Sequence, residues 1–437
     1  MKNNDFDSSH AYLPGLETKN GKELIITYNN IARTHFHQGD YTKALEWYHT
    51  ALSISEKLLG KEDPDTATTY NNIAGVYYSQ GDYPKALKWY YKALSISEKL
   101  LGKEDIDTAA TYNNIASVYY SQGEYNKALE GYYKALEIRE KKLGKEHPDT
   151  ASAYNNIANV YYIQCDYHMA LEWYQKALEI HRKVLGAEHP DTATTYNNIA
   201  NVYYIQRDYH MALEWYQKAL EIHRKVLGAE HPDTTTTYNN IANVYDSQRD
   251  YNKAMEWYQK ALEINKKILG NYHPSTATIY NNIAGVFDSQ GNYDKALEWY
   301  QRALEIREKI LGKEHPSTAT TYNNIALIYY RKCDYLMALK WYDKALVIRE
   351  KMLGKEHPST ATTYNNIALV YFQRSDYQKA LEWYLKSYKI LSCKLGEMHP
   401  NTSFVKTNME AAYKNIGLNE SFEQWLKRNL SINNRIR

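Results

Sequence analysis

Apolar residues recur along this chain at the spacing of amphipathic helices. In residues 190–206, PDTATTYNNIANVYYIQ, apolar side chains return at intervals of three and four residues. Residues 210–227, HMALEWYQKALEIHRKVL, show the same spacing, and neither segment alternates with a period of two. Pro190 suits the first turn of a helix, and Gly228 suits the position after a helix end. The pattern predicts two antiparallel helices joined by a short turn.

This helical pair is repeated along nearly the whole chain. The motif YNNIA begins at Tyr28, Tyr70, Tyr112, Tyr154, Tyr196, Tyr238, Tyr280, Tyr322 and Tyr364, a fixed step of 42 residues. Positions in a repeat are counted here from this tyrosine as position 0. The second helix carries two apolar stripes, and a hairpin alone covers only one, so neighbouring repeats must cover the other. The sequence therefore predicts an all-α solenoid.

The same period sets the expected domain boundaries. We expect residues 20–400 to form nine helical hairpins of 42 residues. Residues 401–437 match the repeat only at scattered positions, so we expect a degenerate tenth repeat that caps the C-terminus. Residues 1–19 are polar and carry no helical spacing, so we expect a disordered segment.

The repeat resembles a known family. It has a small residue at position +4, Tyr at +7, Ala at +16, an aromatic residue at +20 and Ala at +23, a pattern that resembles the tetratricopeptide repeat. The period of 42 and the phrase LGKEHPDTATTYNNIA, present with small changes at 143–158 and 185–200, resemble the kinesin-light-chain type. The resemblance covers roughly residues 20–435. It implies a right-handed superhelical α-solenoid with a protein-binding concave groove, and it is weakly specific for function.

Charge and composition exclude several classes of partner. The chain has 53 basic and 51 acidic residues, a formal charge of +2, so it offers no basic field for nucleic acid or an anionic membrane. No run of 18 apolar residues and no apolar leader are present. Three cysteines form an odd, sparse set that fits a reducing compartment. We therefore expect a cytoplasmic protein that binds neither nucleic acid nor membrane.

Catalytic chemistry is not expected. Repeats 4 and 5 differ only at Cys165/Arg207 and Ala193/Thr235, so a catalytic group in one would be duplicated in the other. Seven histidines stand in one column, each just before a proline, and we interpret them as helix-start residues rather than metal ligands. We expect His181 and His223 on the surface of the second helix. No cofactor, metal or catalytic residue is predicted.

The paired asparagines of YNNIA mark the candidate binding surface. On a helical wheel the second asparagine, at +2, lies opposite the core face, and the first borders it. Two interpretations are open: the amides bond to each other or to backbone and hold the stack in register, or they bond the main chain of an extended partner, since an amide both donates and accepts. The +2 residues are Asn30, Asn72, Asn114, Asn156, Asn198, Asn240, Asn282, Asn324 and Asn366.

Two neighbouring columns vary and would supply specificity. Position +5 carries Asn159, Asn201 and Asn243 in repeats 4–6 and Leu327 and Leu369 in repeats 8 and 9. Position +8 is aromatic in most repeats but carries Asp246 and Asp288 in repeats 6 and 7. Two such carboxylates favour one cation placed between them. A bound segment is therefore expected to bring a Lys or Arg to repeats 6 and 7 and an apolar residue toward the leucines.

We interpret the chain as a non-catalytic scaffold that binds an extended segment of another protein, whose identity the sequence does not name. Two alternatives remain. The chain could be a cargo adaptor like kinesin light chain, or a structural protein that stacks on itself through its tyrosine-rich faces. Weak self-association is compatible with each of these.

Overall fold

The described chain is built from helices throughout. The computed structural model describes residues 21–417 and 419–431, so the predicted N-terminal segment 1–19 lies outside the described residues. The helices are α1 Gly21–His37, α2 Tyr41–Leu58, α3 Pro64–Ser79, α4 Tyr83–Leu100, α5 Ile106–Ser121, α6 Tyr125–Leu143, α7 Pro148–Ile163, α8 Tyr167–Ile180, α9 Pro190–Ile205, α10 Tyr209–Val226, α11 Pro232–Ser247, α12 Tyr251–Ile268, α13 Pro274–Ser289, α14 Tyr293–Ile310, α15 Pro316–Arg331, α16 Tyr335–Met352, α17 Pro358–Gln373, α18 Tyr377–Leu395, α19 Pro400–Ile416 and α20 Phe422–Ser431. A π-helical turn, His181–Leu185, extends α8. The predicted all-α helical-repeat solenoid is confirmed.

The chain divides into two compact units. Among the described residues, the first unit reaches to residue 118 and includes 130–145, and the second comprises residues 119–129 and those from 146 onward. In the first unit, α1 packs on α2 and α3 packs on α4 as hairpins. In the second unit the hairpins run from α7/α8 to α17/α18, and α18 also packs on α19. Each second helix in this series contacts the first helix of the following repeat, as the two apolar stripes predict.

Local sequence sets the helix ends. Except for α1 and α5, the first helices begin at proline, and the residue before it caps the helix. The Nδ1 atom of His189, for example, accepts from the backbone N–H of Asp191 at 3.2 Å. Asp63 does the same through its carboxylate in repeat 2. Second helices are capped by an acidic residue or an asparagine, as where Asp208 accepts from Met211 N–H. The interpretation of the histidine column as helix-start residues is confirmed.

At seven joints between repeats, a buried threonine at position −4 bonds to the preceding loop. Thr192 is fully buried and its hydroxyl donates to the carbonyl of Gly186 in the loop before it. The same bond recurs at Thr66, Thr108, Thr234, Thr276, Thr318 and Thr360. In most repeats the position-0 tyrosine packs against the tryptophan at +19 with tilted rings, as where the ring centroids of Tyr196 and Trp215 lie 5.3 Å apart. These contacts recur in most repeats, and repeat 3 lacks the aromatic pair because Gly131 stands at position +19.

The second unit also contains a long-range contact, which we call the turn contact. The turn between α5 and α6 meets the start of α17, more than 230 residues later: the His357 Nε2 atom lies 3.1 Å from the Ser121 carbonyl oxygen. A Cβ atom built on Gly123 would lie 2.6 Å from Cδ of Pro358. Lys394 forms an ion pair of 2.6 Å with Glu124. One repeat further on, Sγ of Cys165 lies 3.1 Å from Nε2 of His399.

Candidate partner-binding surface on the first helices

The first helices bury one face and present another. In α9, Tyr196, Ile199 and Ala200 are buried, whereas Asn198 and Asn201 are partly exposed. We call the surface formed by positions +2, +5 and +8 of the first helices the amide face. Among the +2 residues, Asn30 is exposed and the others are partly exposed. The helical wheel therefore placed this column on the correct side.

Four of the nine +2 amides bond to the preceding repeat. Their Nδ2 atoms donate to Oδ1 of the first asparagine in the preceding repeat, in the pairs Asn114–Asn71 (3.4 Å), Asn282–Asn239 (3.0 Å), Asn324–Asn281 (3.0 Å) and Asn366–Asn323 (3.2 Å). These bonds are the ones expected if the amides hold the stack of repeats in register. Each uses one N–H of an amide that has two donors and an acceptor oxygen, so capacity for a ligand remains.

The first asparagines serve the joints. The Nδ2 atoms of Asn155 and Asn197 donate to the hydroxyls of Thr195 and Thr237, at 3.1 and 3.0 Å. Both asparagines are buried. Threonine precedes the tyrosine of YNNIA in most repeats, and that pairing is the signal in the sequence that indicates a structural role for position +1.

The +5 asparagines of repeats 4–6 are oriented by core tyrosines. The hydroxyl of Tyr174 donates to Oδ1 of Asn159 at 2.5 Å, and Tyr216 donates to Oδ1 of Asn201 at the same distance. The third asparagine, Asn243, accepts from the hydroxyl of Tyr258. Their amide nitrogens donate no hydrogen bond within the described residues. Because the tyrosine fixes the oxygen, each side chain is held with its N–H groups available.

The two aspartates at +8 differ from each other. Asp288 is 8% exposed, and Nη1 of Arg331 lies 2.8 Å from its Oδ1 atom. The expectation that one external cation serves both carboxylates is therefore wrong for Asp288, because the chain supplies its own cation at position +9 of the next repeat. Burial raises the pKa of Asp288 and Arg331 opposes that rise. Position +9 of the repeat after Asp246 is Ser289, which explains why Asp246 has no such partner.

Asp246 keeps an unpaired carboxylate. Its Oδ1 atom is buried and has no hydrogen-bond partner. Burial, followed by repulsion from Asp288, raises its pKa to about 6. Leu327 and Leu369, at position +5 two and three repeats further on, are partly exposed. The structure therefore places an under-solvated acid and two apolar side chains on the amide face.

Sequence reasoning missed a buried polar column at position +27. His181 and His223 are each 1% exposed, so the expectation that they lie on the surface is wrong. Their Nδ1 atoms lie 3.1 and 3.2 Å from the hydroxyls of Thr195 and Thr237, and burial lowers the pKa of both imidazoles. The column holds Ser55, Ser97, Arg139, His181, His223, Asn265, Arg307 and Arg349 before ending in Leu391. The available signal was a polar residue on the apolar stripe of the second helix in each of repeats 1–8.

Across residues 21–417 and 419–431, no cluster of three or more His, Cys, Asp or Glu side chains is arranged to hold a metal ion. No helix in those ranges has the length and apolar character that crossing a bilayer requires.

The repeated hairpins and their joints define a helical-repeat protein. The family model for the tetratricopeptide repeat matches residues 23–99, 107–183, 149–220, 191–267, 247–309, 275–351 and 317–392. These segments cover most of the chain, which therefore belongs to the tetratricopeptide repeat family. This membership supports a role as a protein-interaction scaffold. No curated protein sequence matches the chain.

Several solved structures are similar to this chain. A Rap protein complexed with competence and sporulation factor is 17% identical, with a TM-score of 0.56 over 87% of this chain and 100% of that one. BtubC (BKLC) from P. vanneervenii is 24% identical over 54% of this chain and 92% of that one, with a TM-score of 0.41. A putative kinesin light chain of P. anserina with nearly identical repeats is 24% identical over 47% of this chain and 98% of that one, with a TM-score of 0.38.

Proposed function

We propose that this chain is a non-catalytic scaffold that binds an extended segment of another protein along the amide face. The observation that carries the proposal is the row of +5 asparagines in repeats 4–6, Asn159, Asn201 and Asn243. Each has its oxygen bonded to a core tyrosine, and none of their nitrogens donates within the described residues. Such a row offers one oriented N–H donor group per repeat to backbone carbonyls.

The spacing of this row suits an extended chain. Neighbouring first helices stand about 10 Å apart, the width of one helix. An extended peptide advances about 3.3 Å per residue, so three residues span one repeat. Every third carbonyl of a bound segment would then meet one asparagine. Since the row is uniform, it would recognise main chain and leave selection to other positions.

Selection would come from the residues that follow the asparagines. Asp246 has an unpaired buried oxygen and a raised pKa, so a Lys or Arg of the segment would relieve it. Leu327 and Leu369 would take an apolar residue further along. We propose this order, a basic residue followed by an apolar one, for the bound segment. A partly exposed ion pair of this kind contributes about 0–1 kcal/mol.

The test replaces the amides without disturbing the tyrosines. Repeat 3 shows how, because Ser117 at position +5 lies 3.0 Å from the hydroxyl of Tyr132. Serine therefore keeps the tyrosine bond and removes the amide N–H groups. Peptides would be selected from a random displayed library on the wild-type chain, and their dissociation constants measured on the triple variant Asn159→Ser, Asn201→Ser and Asn243→Ser.

We expect the triple variant to bind about tenfold or more weakly, since three hydrogen bonds of about 0.5–1.5 kcal/mol each are removed. The matched control is Gln175→Ser, Gln217→Ser and Gln259→Ser, three exposed positions on the second helices of the same repeats. It should leave affinity unchanged. Equal affinity for both triple variants would show that the peptides bind elsewhere.

A further inference from the structure

Two buried arginines in the second unit occupy matching slots between repeats. Nη1 of Arg307 donates to the Ser317 carbonyl at 2.9 Å and to the hydroxyl of Thr321 at 2.7 Å. Its Nη2 atom donates to the hydroxyl of Thr278 at 3.5 Å. Arg307 is 6% exposed. The slot therefore holds a guanidinium group through one carbonyl oxygen and two hydroxyl oxygens.

The next slot repeats this arrangement one period later. Arg349 donates through Nη1 to the Ser359 carbonyl at 2.8 Å and to the hydroxyl of Thr363 at 2.7 Å, and through Nη2 to the hydroxyl of Thr320 at 3.3 Å. It is also 6% exposed. Two adjacent slots thus hold the same cation in the same surroundings. The equivalent slot one repeat earlier in the chain can therefore be compared with them.

The equivalent slot one repeat before Arg307 contains no arginine. Asn265 stands at the equivalent position, and the shorter side chain leaves a cavity of about 170 Å³. Residues from α11, α12 and α13 line it: Pro232, Thr235, Thr236, Asn239, Asn265, Leu269, Ser275, Thr278 and Ile279. A single water needs only about 10–15 Å³ measured in this way. The space is therefore large enough for a small planar group.

The cavity keeps most of the atoms that hold the arginines. Ser275 stands where Ser317 and Ser359 supply a carbonyl, and Thr236 stands where Thr278 and Thr320 supply a hydroxyl. Only the third position differs, because Ile279 replaces the threonine. Asn265 is 3% exposed, and its side chain makes no hydrogen bond within the described residues. A buried, unpartnered amide thus lines a slot that retains two of its three oxygen acceptors.

We propose that this cavity is a binding site for a guanidinium group. The ligand is either a small guanidinium compound or an arginine side chain of a bound segment, and both offer the same planar set of N–H donors without an acceptor. A cation here would stand one repeat from Arg307, as Arg307 already stands one repeat from Arg349. The site goes beyond binding on the amide face and does not depend on it.

Methylguanidinium is the probe, and its neutral analogue N-methylurea is the control ligand. Binding to the full chain is followed by saturation-transfer NMR of the ligand and by calorimetry. We expect methylguanidinium to bind at least tenfold more tightly than N-methylurea, because hydrogen bonds from a charged donor are the stronger ones. A second experiment compares arginine and lysine, each as a single residue with both termini blocked. Binding of the arginine compound but not of the lysine compound would show that the slot accepts an arginine side chain.

Three variants tie the binding to the slot. Asn265→Arg should fill it with the chain's own guanidinium and abolish binding, whereas Arg307→Asn should open a second slot and raise the stoichiometry from one to two. Thr236→Val removes one acceptor at an exposed position and should weaken binding roughly tenfold. Thr194→Val, at the same position of repeat 5, should change nothing, because His223 occupies the equivalent place there. Equal binding of the two probes, or unchanged affinity in both Asn265→Arg and Thr236→Val, would overturn the proposal.

Discussion

The turn contact of the second unit makes a sharp prediction about two glycines. Gly123 and Gly291 occupy the same position of the turn between the two helices of a repeat, with φ of +70° and +75°. An added Cβ atom would meet Cδ of Pro358 at 2.6 Å in the first case, and nothing within 4 Å in the second. Alanine should therefore be much worse tolerated at Gly123 than at Gly291.

The expected loss of stability has two parts, one that both alanine variants share and one that is specific to Gly123→Ala. Both alanines would adopt a left-handed conformation, which costs an L-residue about 1–2 kcal/mol. Only Gly123→Ala also forces a Cβ atom against a proline ring, and overpacking of this kind costs about 1–3 kcal/mol. The contact neighbours cannot yield freely, because His357 is buried and the Lys394 side chain is only 14% exposed. We expect Gly123→Ala to be the more destabilising by about 1–3 kcal/mol.

The assay is a double-mutant cycle with Pro358→Ala, which removes the ring that the new methyl group would strike. Native-state hydrogen exchange measures the free energy of local opening at the start of α17. This local measurement is used because global unfolding of a repeat protein would be hard to interpret. Gly123→Ala and Pro358→Ala should couple by about 1–3 kcal/mol, whereas Gly291→Ala and Pro358→Ala should be additive. Additivity in both cycles would refute the turn contact.

Three further outcomes are expected. The pKa of Asp246 is raised from 3.8 to about 6, so the folded state binds the proton more tightly than the unfolded state does. The free energy of unfolding should therefore fall as pH rises from about 4 to 7. Asp246→Asn should remove this pH dependence of unfolding and stabilise the chain at pH 7. Asp288→Asn should instead lower the thermal midpoint, costing about 1 kcal/mol, because it leaves Arg331 without its carboxylate. Deleting residues 196–237, one whole repeat, should give a soluble chain whose helicity per residue, measured by circular dichroism, is unchanged. Deleting residues 196–215 should instead cause aggregation. Similar behaviour of both deletions would contradict the repeat register.

The sequence was sufficient for the fold because each element had several agreeing signals. Pro190 marks a helix start, the column of His189 caps it, and the spacing of apolar residues around Tyr196 sets the buried face. The fixed step of 42 residues then implies the same packing at each joint. The turn contact was not predictable, because it depends on how small angles between repeats accumulate, and no single repeat encodes its distant neighbour.

The candidate site was predictable only in part. A helical wheel placed Asn198 and Asn201 on the correct face, since direction follows from sequence spacing. It could not show that the hydroxyl of Tyr216 fixes the orientation of Asn201, or that Arg331 would reach Asp288 from the next repeat. The buried +27 column was misjudged at His181 because its partner, Thr195, lies on the following helix, α9. Partners between repeats require coordinates.

The threonine bond at each joint has a consequence for how such a chain can change over generations. Thr192 reaches only six residues back, to Gly186, so the whole closure lies within one short stretch of gene. Repeats 4 and 5 differ at two positions, so duplication or deletion of one of them would join nearly identical residues. Gain or loss of one unit by that route recreates an intact joint at the new boundary. Repeat number can therefore vary in single heritable steps, each of which yields a chain whose joints still close.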